Sequence, residues 1–146
     1  MKRKFIAILL LFVLVLGNFP SVAFAASNPS VSAGSCKVKP GGEAQLSVSI
    51  ADNPGVISFI LFVECDTSVF SLDYDETNEC YEIKAGDAFS SMLCNTQGST
   101  GWKIVWYGSN ETTSDGILFT LPLQVAENAA AGSYEVKLSY SEKNTL

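Results

Sequence analysis

The sequence predicts an all-β fold, an antiparallel β-sandwich, on three observations. Apolar and polar residues alternate over short runs, Gly, Pro and Asn turns separate the runs, and the chain after residue 25 has no segment with a helical apolar period. The clearest run is residues 101–125, GWKIVWYGSNETTSDGILFTLPLQV, a strand (102–107), a polar loop (108–116) and a second strand (117–125). On the first strand Trp102, Ile104 and Trp106 share one face, and Lys103, Val105 and Tyr107 the other. On the second, Ile117, Phe119, Leu121, Leu123 and Val125 line up opposite Leu118, Thr120, Pro122 and Gln124. Ser-Asp-Gly closes the loop, with Gly116 free to take a positive φ. Such a pair needs partner strands and a second sheet over its apolar face.

Residues 1–25 stand outside that domain. A basic start, Met1-Lys2-Arg3-Lys4, leads into an apolar run over 5–16, then Pro20 and the small-x-small site Ala23-Phe24-Ala25. This is the pattern of a cleaved signal peptide, and the run is shorter than the ~20 residues a membrane-spanning helix needs. The expectation is a secreted chain whose domain occupies 26–146. Its first strand covers 30–38 and turns at Lys39-Pro40-Gly41-Gly42. The second, 44–51, points Leu46, Val48 and Ile50 inward and Gln45, Ser47 and Ser49 outward. Asp52-Asn53-Pro54-Gly55 turns into the third, 56–65 (VISFILFVEC), apolar on both faces. A short fourth strand (70–74), an acidic loop (75–87) and a fifth strand (89–95) follow. The pair described above supplies the sixth and seventh, and 134–140 the eighth.

Charge and composition exclude several functions. Loss of residues 1–25 takes the net charge from −6 to −9 and leaves six lysines and no arginine. That balance argues against nucleic acid and against anionic membrane surfaces. With no histidine in the chain there is no Ser-His or Cys-His nucleophile pair and no imidazole metal site. Carboxylates alone could hydrolyse glycosides, but a thin sandwich offers little depth for a sugar cleft. No Gly-rich phosphate loop and no C-x-x-C pair occurs. The expectation is a protein that is not an enzyme and holds no cofactor.

Cys36, Cys65, Cys80 and Cys94 all fall in the exported part, where two disulfides are the default, with three connectivities. A Cys80–Cys94 bridge would staple a loop to the following strand and stabilise by about 3 kcal/mol. The competing reading makes Cys65 a small buried apolar side chain. The pairing stays open.

The order of landmarks resembles a cohesin domain, the receptor module with which cellulosome scaffoldins hold dockerin-bearing enzymes. The resemblance is carried by VSAGSCKVKPGG (31–42), NPGVISFILFVECDTSV (53–69), Ala85-Gly86-Asp87, SDGILFTLPLQV (114–125) and AAAGSYEVKL (129–138). It spans nearly all of the exported chain. It implies a nine-stranded jelly roll without a catalytic site, whose ninth strand has no counterpart before Leu146, so that the domain reads as C-terminally incomplete. It also implies a dockerin-binding face built by the third, fifth, sixth and eighth strands, with calcium expected on the dockerin rather than on this chain. Carried over by alternation, that face would show Ser58, Ile60, Phe62 and Glu64, then Ser90, Met92 and Cys94, then Lys103, Val105 and Tyr107. Phe59, Leu61, Val63 and Cys65 would point into the core. The third strand departs from the best-known cohesins, which carry polar Asn and Asp at the positions of Ser58 and Ile60. A more hydrophobic interface is expected here.

Other features have a blander reading. Asp73, Asp75, Glu76, Glu79 and Glu82 could ligate calcium, but no Gly turns the segment as a calcium loop requires, which favours a solvated loop. Asn110-Glu111-Thr112 is a glycosylation sequon. Trp102 and Trp106 could stack on sugars, yet at strand spacing they belong to the core. The leading expectation is a monomeric dockerin receptor in a cellulosome-type assembly for plant polysaccharide degradation, secreted or attached to the cell surface. A carbohydrate-binding module is the alternative, because fold alone does not settle function.

Overall fold

Alternating runs become strands where a second layer can cover their apolar side, and two such layers organise this chain. The computed structural model describes residues 29–140. The expected signal peptide at 1–25 therefore lies outside the described residues, as do the last six positions.

The first sheet contains β1 (Ser30–Ala33), β2 (Glu43–Ala51), β10 (Gly116–Val125) and β4 (Phe70–Ser71), in the spatial order β1-β2-β10-β4, and β7 (Lys84–Ala85) also pairs with β10. The second sheet has the order β11 (Lys137–Tyr140), β3 (Val56–Glu64), β9 (Gly101–Thr112), β8 (Leu93–Thr96). All pairings are antiparallel. A small hairpin, β5 (Tyr74–Asp75) with β6 (Cys80–Tyr81), stands apart from both sheets. The only helical turn among the described residues is a 3-10 turn at Gly98–Thr100.

The core between the layers follows the predicted alternation over most of its extent. Ala44, Leu46, Val48 and Ile50 from β2 meet Leu61 and Val63 from β3 and Trp102, Ile104 and Trp106 from β9, all buried. Trp106 is the centrepiece. Its ring stacks on Phe59 at 5.6 Å and meets Phe89 edge-on at 5.0 Å, while Nε1 donates to the Ser90 carbonyl at 3.0 Å. Burial of aromatic bodies with the polar tip satisfied is the stabilising arrangement for such side chains. The strands come close enough at Gly101, φ +136°, that a Cβ there would overlap the Val63 carbonyl. Gly86, in the Ala-Gly-Asp segment, approaches the Ile117 carbonyl in the same way, and its amide donates to Leu118 O at 2.8 Å.

Several expectations need correction. Residues 34–38 are not strand, and the predicted strand at 70–74 is two fragments, β4 and β5. The supposed loop from 108 is strand as far as Thr112. Ile117 is exposed rather than inward, and Leu118 is buried in its place. The register of β10 against β2 shifts between Ile117 and Phe119, so Leu118 and Phe119 both reach the core.

One buried polar residue ties the two ends of the second sheet's long strands together. Asn53 donates from Nδ2 to Thr112 O and Ser114 O at 3.1 and 3.0 Å, and its amide donates to Asp115 Oδ1 at 2.8 Å. Its Oδ1 accepts from Gly55 N at 3.1 Å, which shapes the turn locally.

Candidate partner-binding face

The second sheet brings together the four segments expected to form a binding face, in the order β11-β3-β9-β8. Its outward residues follow from register, since residues paired across antiparallel strands share a face. Ile60 lies opposite Val105, and Val105 opposite Leu93. One step along, Ser139, Phe62, Lys103 and Asn95 form a second row. Ser58 pairs with Tyr107 at one end, and Glu64 with Lys137 at the other.

Ile60, Phe62 and Val105 are half-buried by their neighbours on the sheet yet do not pack against the core. Leu93 and Tyr107 are 46% and 72% exposed. The centre of the face is thus a run of apolar side chains. Polar groups edge it: Lys103 and Asn95 beside Phe62, and Glu64, whose Oε1 accepts from Ser139 Oγ at 3.1 Å. That bond ties Glu64 to β11, while the Lys137 ammonium lies 3.5 Å from Glu135 Oε2. An open hollow of about 580 Å³ lies where β9 runs past Tyr107, lined by Ser90 and Ser91 on one side and Gly108–Thr112 on the other. A second, about 660 Å³, sits on the first sheet's side, between 84–88 and 114–117.

Of the ten residues expected on the face, Ser58, Ile60, Phe62, Glu64, Lys103, Val105 and Tyr107 stand on this surface together. The fifth predicted strand is where the expectation fails. Met92 is half-buried against the core, and Cys94, expected outward, is wholly buried opposite Ile104. Leu93 points out instead. The cause is that residues 89–92 are not strand: β8 starts only at Leu93, and Ser91 just before it takes a φ of +59°. A left-handed residue resets the alternation, so Phe89 and Cys94 both face inward although they differ in parity. Ser90 is exposed, but its carbonyl is committed to Trp106. Leu93, Asn95 and Ser139 were missed; only the reset at Ser91 and the pairing partners reveal the first two.

The acidic segment does not gather into a metal site. Asp75 turns its oxygens to Thr77 N, Asn78 N and Asn78 Nδ2 at 2.6–3.2 Å, and these bonds hold its carboxyl below the ordinary value of 3.8. Among the described residues no group of three or more acidic or thiol side chains is placed to hold a cation.

Comparison with known proteins fits this architecture. The family model described as "Cohesin domain" matches residues 29–142. Comparison with curated proteins finds no match. Among solved structures, the chain is similar to a type I cohesin–dockerin complex from Clostridium thermocellum, with a TM-score of 0.66 and 20% identity over 78% of this chain and 83% of that one. It is also similar to the seventh type I cohesin of ScaB from Pseudobacteroides cellulosolvens, TM-score 0.65 and 16% identity, covering 77% and 74% of the two chains. A type III cohesin of the cell-surface anchoring scaffoldin ScaE from Ruminococcus flavefaciens gives a TM-score of 0.64 and 22% identity over 88% and 74%. These likenesses establish a shared fold, and the family match runs from the first described residue to the last strand. This chain belongs to the cohesin domain family.

Proposed function

We propose that this chain is a non-catalytic receptor module that captures a dockerin-bearing protein on the outer face of its second sheet. The observation that carries the reading is the apolar row Ile60–Val105–Leu93, flanked by Phe62 and Tyr107, on a face that covers no core. Contiguous apolar surface with a polar rim marks a protein interface. Removing it from water supplies affinity at about 25 cal/mol per Å², while Lys103, Glu64 and Ser58 orient the partner. Met92 lies outside this set and Leu93 joins it. The chain would act as a monomer, exported by residues 1–25 and held in a cellulosome-type assembly outside the cell or at its surface. Calcium in such a complex would belong to the dockerin.

The carbohydrate-binding alternative needs a row of exposed aromatic rings. Trp102 and Trp106 are 3% and 4% exposed and lie in the core, so they offer no platform. A calorimetric screen of the protein against a panel of dockerins and soluble plant polysaccharides tests both readings. The expected result is sub-micromolar binding to one dockerin, abolished by Ile60→Asp or Phe62→Asp with the melting temperature retained. Binding to polysaccharide alone would overturn the proposal.

A further inference from the structure

The hairpin β5–β6 has no ladder to either sheet, yet β6 lies alongside the edge strand β8, Cα atoms within 8 Å. Each of these two neighbouring strands carries a cysteine. Cys80 opens β6 and is half-buried; Cys94 sits in the middle of β8, fully enclosed, with its side chain turned to the core, and both are free thiols in this structure. Tyr81, next to Cys80, packs against the same core. Cys36, by contrast, is exposed in the segment between β1 and β2, and Cys65 directly follows β3 beside Asp66; none of β1, β2 and β3 ladders with the hairpin. A disulfide needs Cα atoms roughly 4.4–6.8 Å apart and side chains that converge. The β6–β8 contact is the place among the described residues where two cysteine-bearing strands meet.

We propose that Cys80 and Cys94 form a disulfide that fastens the β5–β6 hairpin to the edge strand of the binding sheet. As the S–S bond forms, two thiols give up two protons and two electrons. A disulfide oxidant accepts both, glutathione disulfide or the disulfide of an oxidoreductase, and leaves as two thiols. The bond forms while the chain folds, before β8 is covered, because a sealed thiol is a poor nucleophile. Burial pushes the Cys94 thiol up to about 12, and the neighbouring Cys80 adds to the rise. The bridge has a direct consequence for the face. β8 pairs with β9 on one side only, and the bridge gives its other side a covalent tie. Leu93, one residue from Cys94, is then held in place opposite Val105.

The test is a peptide map of the chain refolded from denaturant in reduced and oxidised glutathione, so that the result does not depend on where the chain resides in the cell or on what it binds. Cleavage after glutamate puts the four cysteines in four fragments, with Cys80 in 80–82 and Cys94 in 83–111. The expected product is 80–82 joined to 83–111, two mass units lighter than the sum of the free thiol forms. In a Cys36→Ser/Cys65→Ser variant, reductant should still lower the melting temperature, by about 10 °C for a loop of this length. Free thiols at both positions, or Cys94 joined to Cys36 or Cys65, would overturn the proposal. So would a double variant whose melting is indifferent to reductant.

Discussion

Both sheets turn one face to a common core, and their outer faces differ in chemistry. The first sheet finishes its outer surface with its own polar groups. Ser47 and Thr120 hydroxyls meet at 3.1 Å across β2 and β10, Gln124 Nε2 donates to Glu43 Oε2 at 3.1 Å, and Gln45 bonds Glu43. That face is satisfied in water. The second sheet places Ile60, Phe62, Leu93 and Val105 where the first places Ser, Thr and Gln. A sheet gains nothing by showing such side chains to solvent, which is the physical ground for proposing the second face as the one a partner covers.

This contrast can be broken from inside or from outside. The largest effect is expected inside. Trp106→Ala removes the ring between Phe59 and Phe89 and leaves the Ser90 carbonyl without its donor; denaturant unfolding should show a loss of about 4 kcal/mol. Next comes charge placed on each outer face in turn. Phe62→Asp should weaken dockerin binding at least ~30-fold in calorimetry, and Thr120→Asp on the first sheet should leave it unchanged. Equal losses from both variants would mean that the two faces do not differ in function. Asn53→Ala lies between inside and outside. It strands the Thr112 and Ser114 carbonyls and should cost about 2 kcal/mol, read as a lower denaturant midpoint with binding intact.

The smallest effects are electrostatic. Cys65 and Cys94 as free thiols are pushed up to about 11 and 12 from 9.0, chiefly by burial. A group raised in the folded state contributes stability below its unfolded value, so the reduced protein should keep its full stability below pH 9 and lose it progressively as pH climbs towards those values. The oxidised protein should lack the part due to Cys94. In acid the sign reverses. The Asp66 carboxyl is held low by the Ser68 hydroxyl and amide, and the Asp75 carboxyl chiefly by the Asn78 side chain. Their contributions are present above pH 3.8 and lost as pH falls further; Asp75→Asn should flatten that limb slightly in thermal melts.

The second sheet also shows how far alternation carries. For β3 from Ser58 to Glu64 and β9 from Trp102 to Tyr107, parity places each side chain on the side of the sheet it occupies, because these long strands are paired on both sides and a slip of one residue would turn a whole face inside out. For the 89–95 segment it fails at Met92 and Cys94. Ser91 adopts a left-handed backbone without being glycine, and nothing in Ser90-Ser91-Met92 announces this. Ile117 fails for a related reason, since the irregularity in β10 arises from its fit against β2 and β7 rather than from its own composition. Asn53 was legible only as part of a turn. Its bonds to Thr112 and Ser114 reach about 60 residues along the chain, and no local pattern records them.

By itself the sequence determined that the chain is all-β, that each long strand has an apolar side, that histidine chemistry is absent, and that the ordered landmarks match a cohesin. These properties reside in side-chain type and period, which a linear chain carries openly. The tertiary structure decided which apolar residues on the shorter strands are core and which are surface, that Leu93 rather than Met92 lies on the outer side of the second sheet, and that β6 with Cys80 lies beside β8 with Cys94. Each of these depends on how distant strands pair and where the backbone breaks its alternation, and those choices are made by packing over the whole sandwich at once.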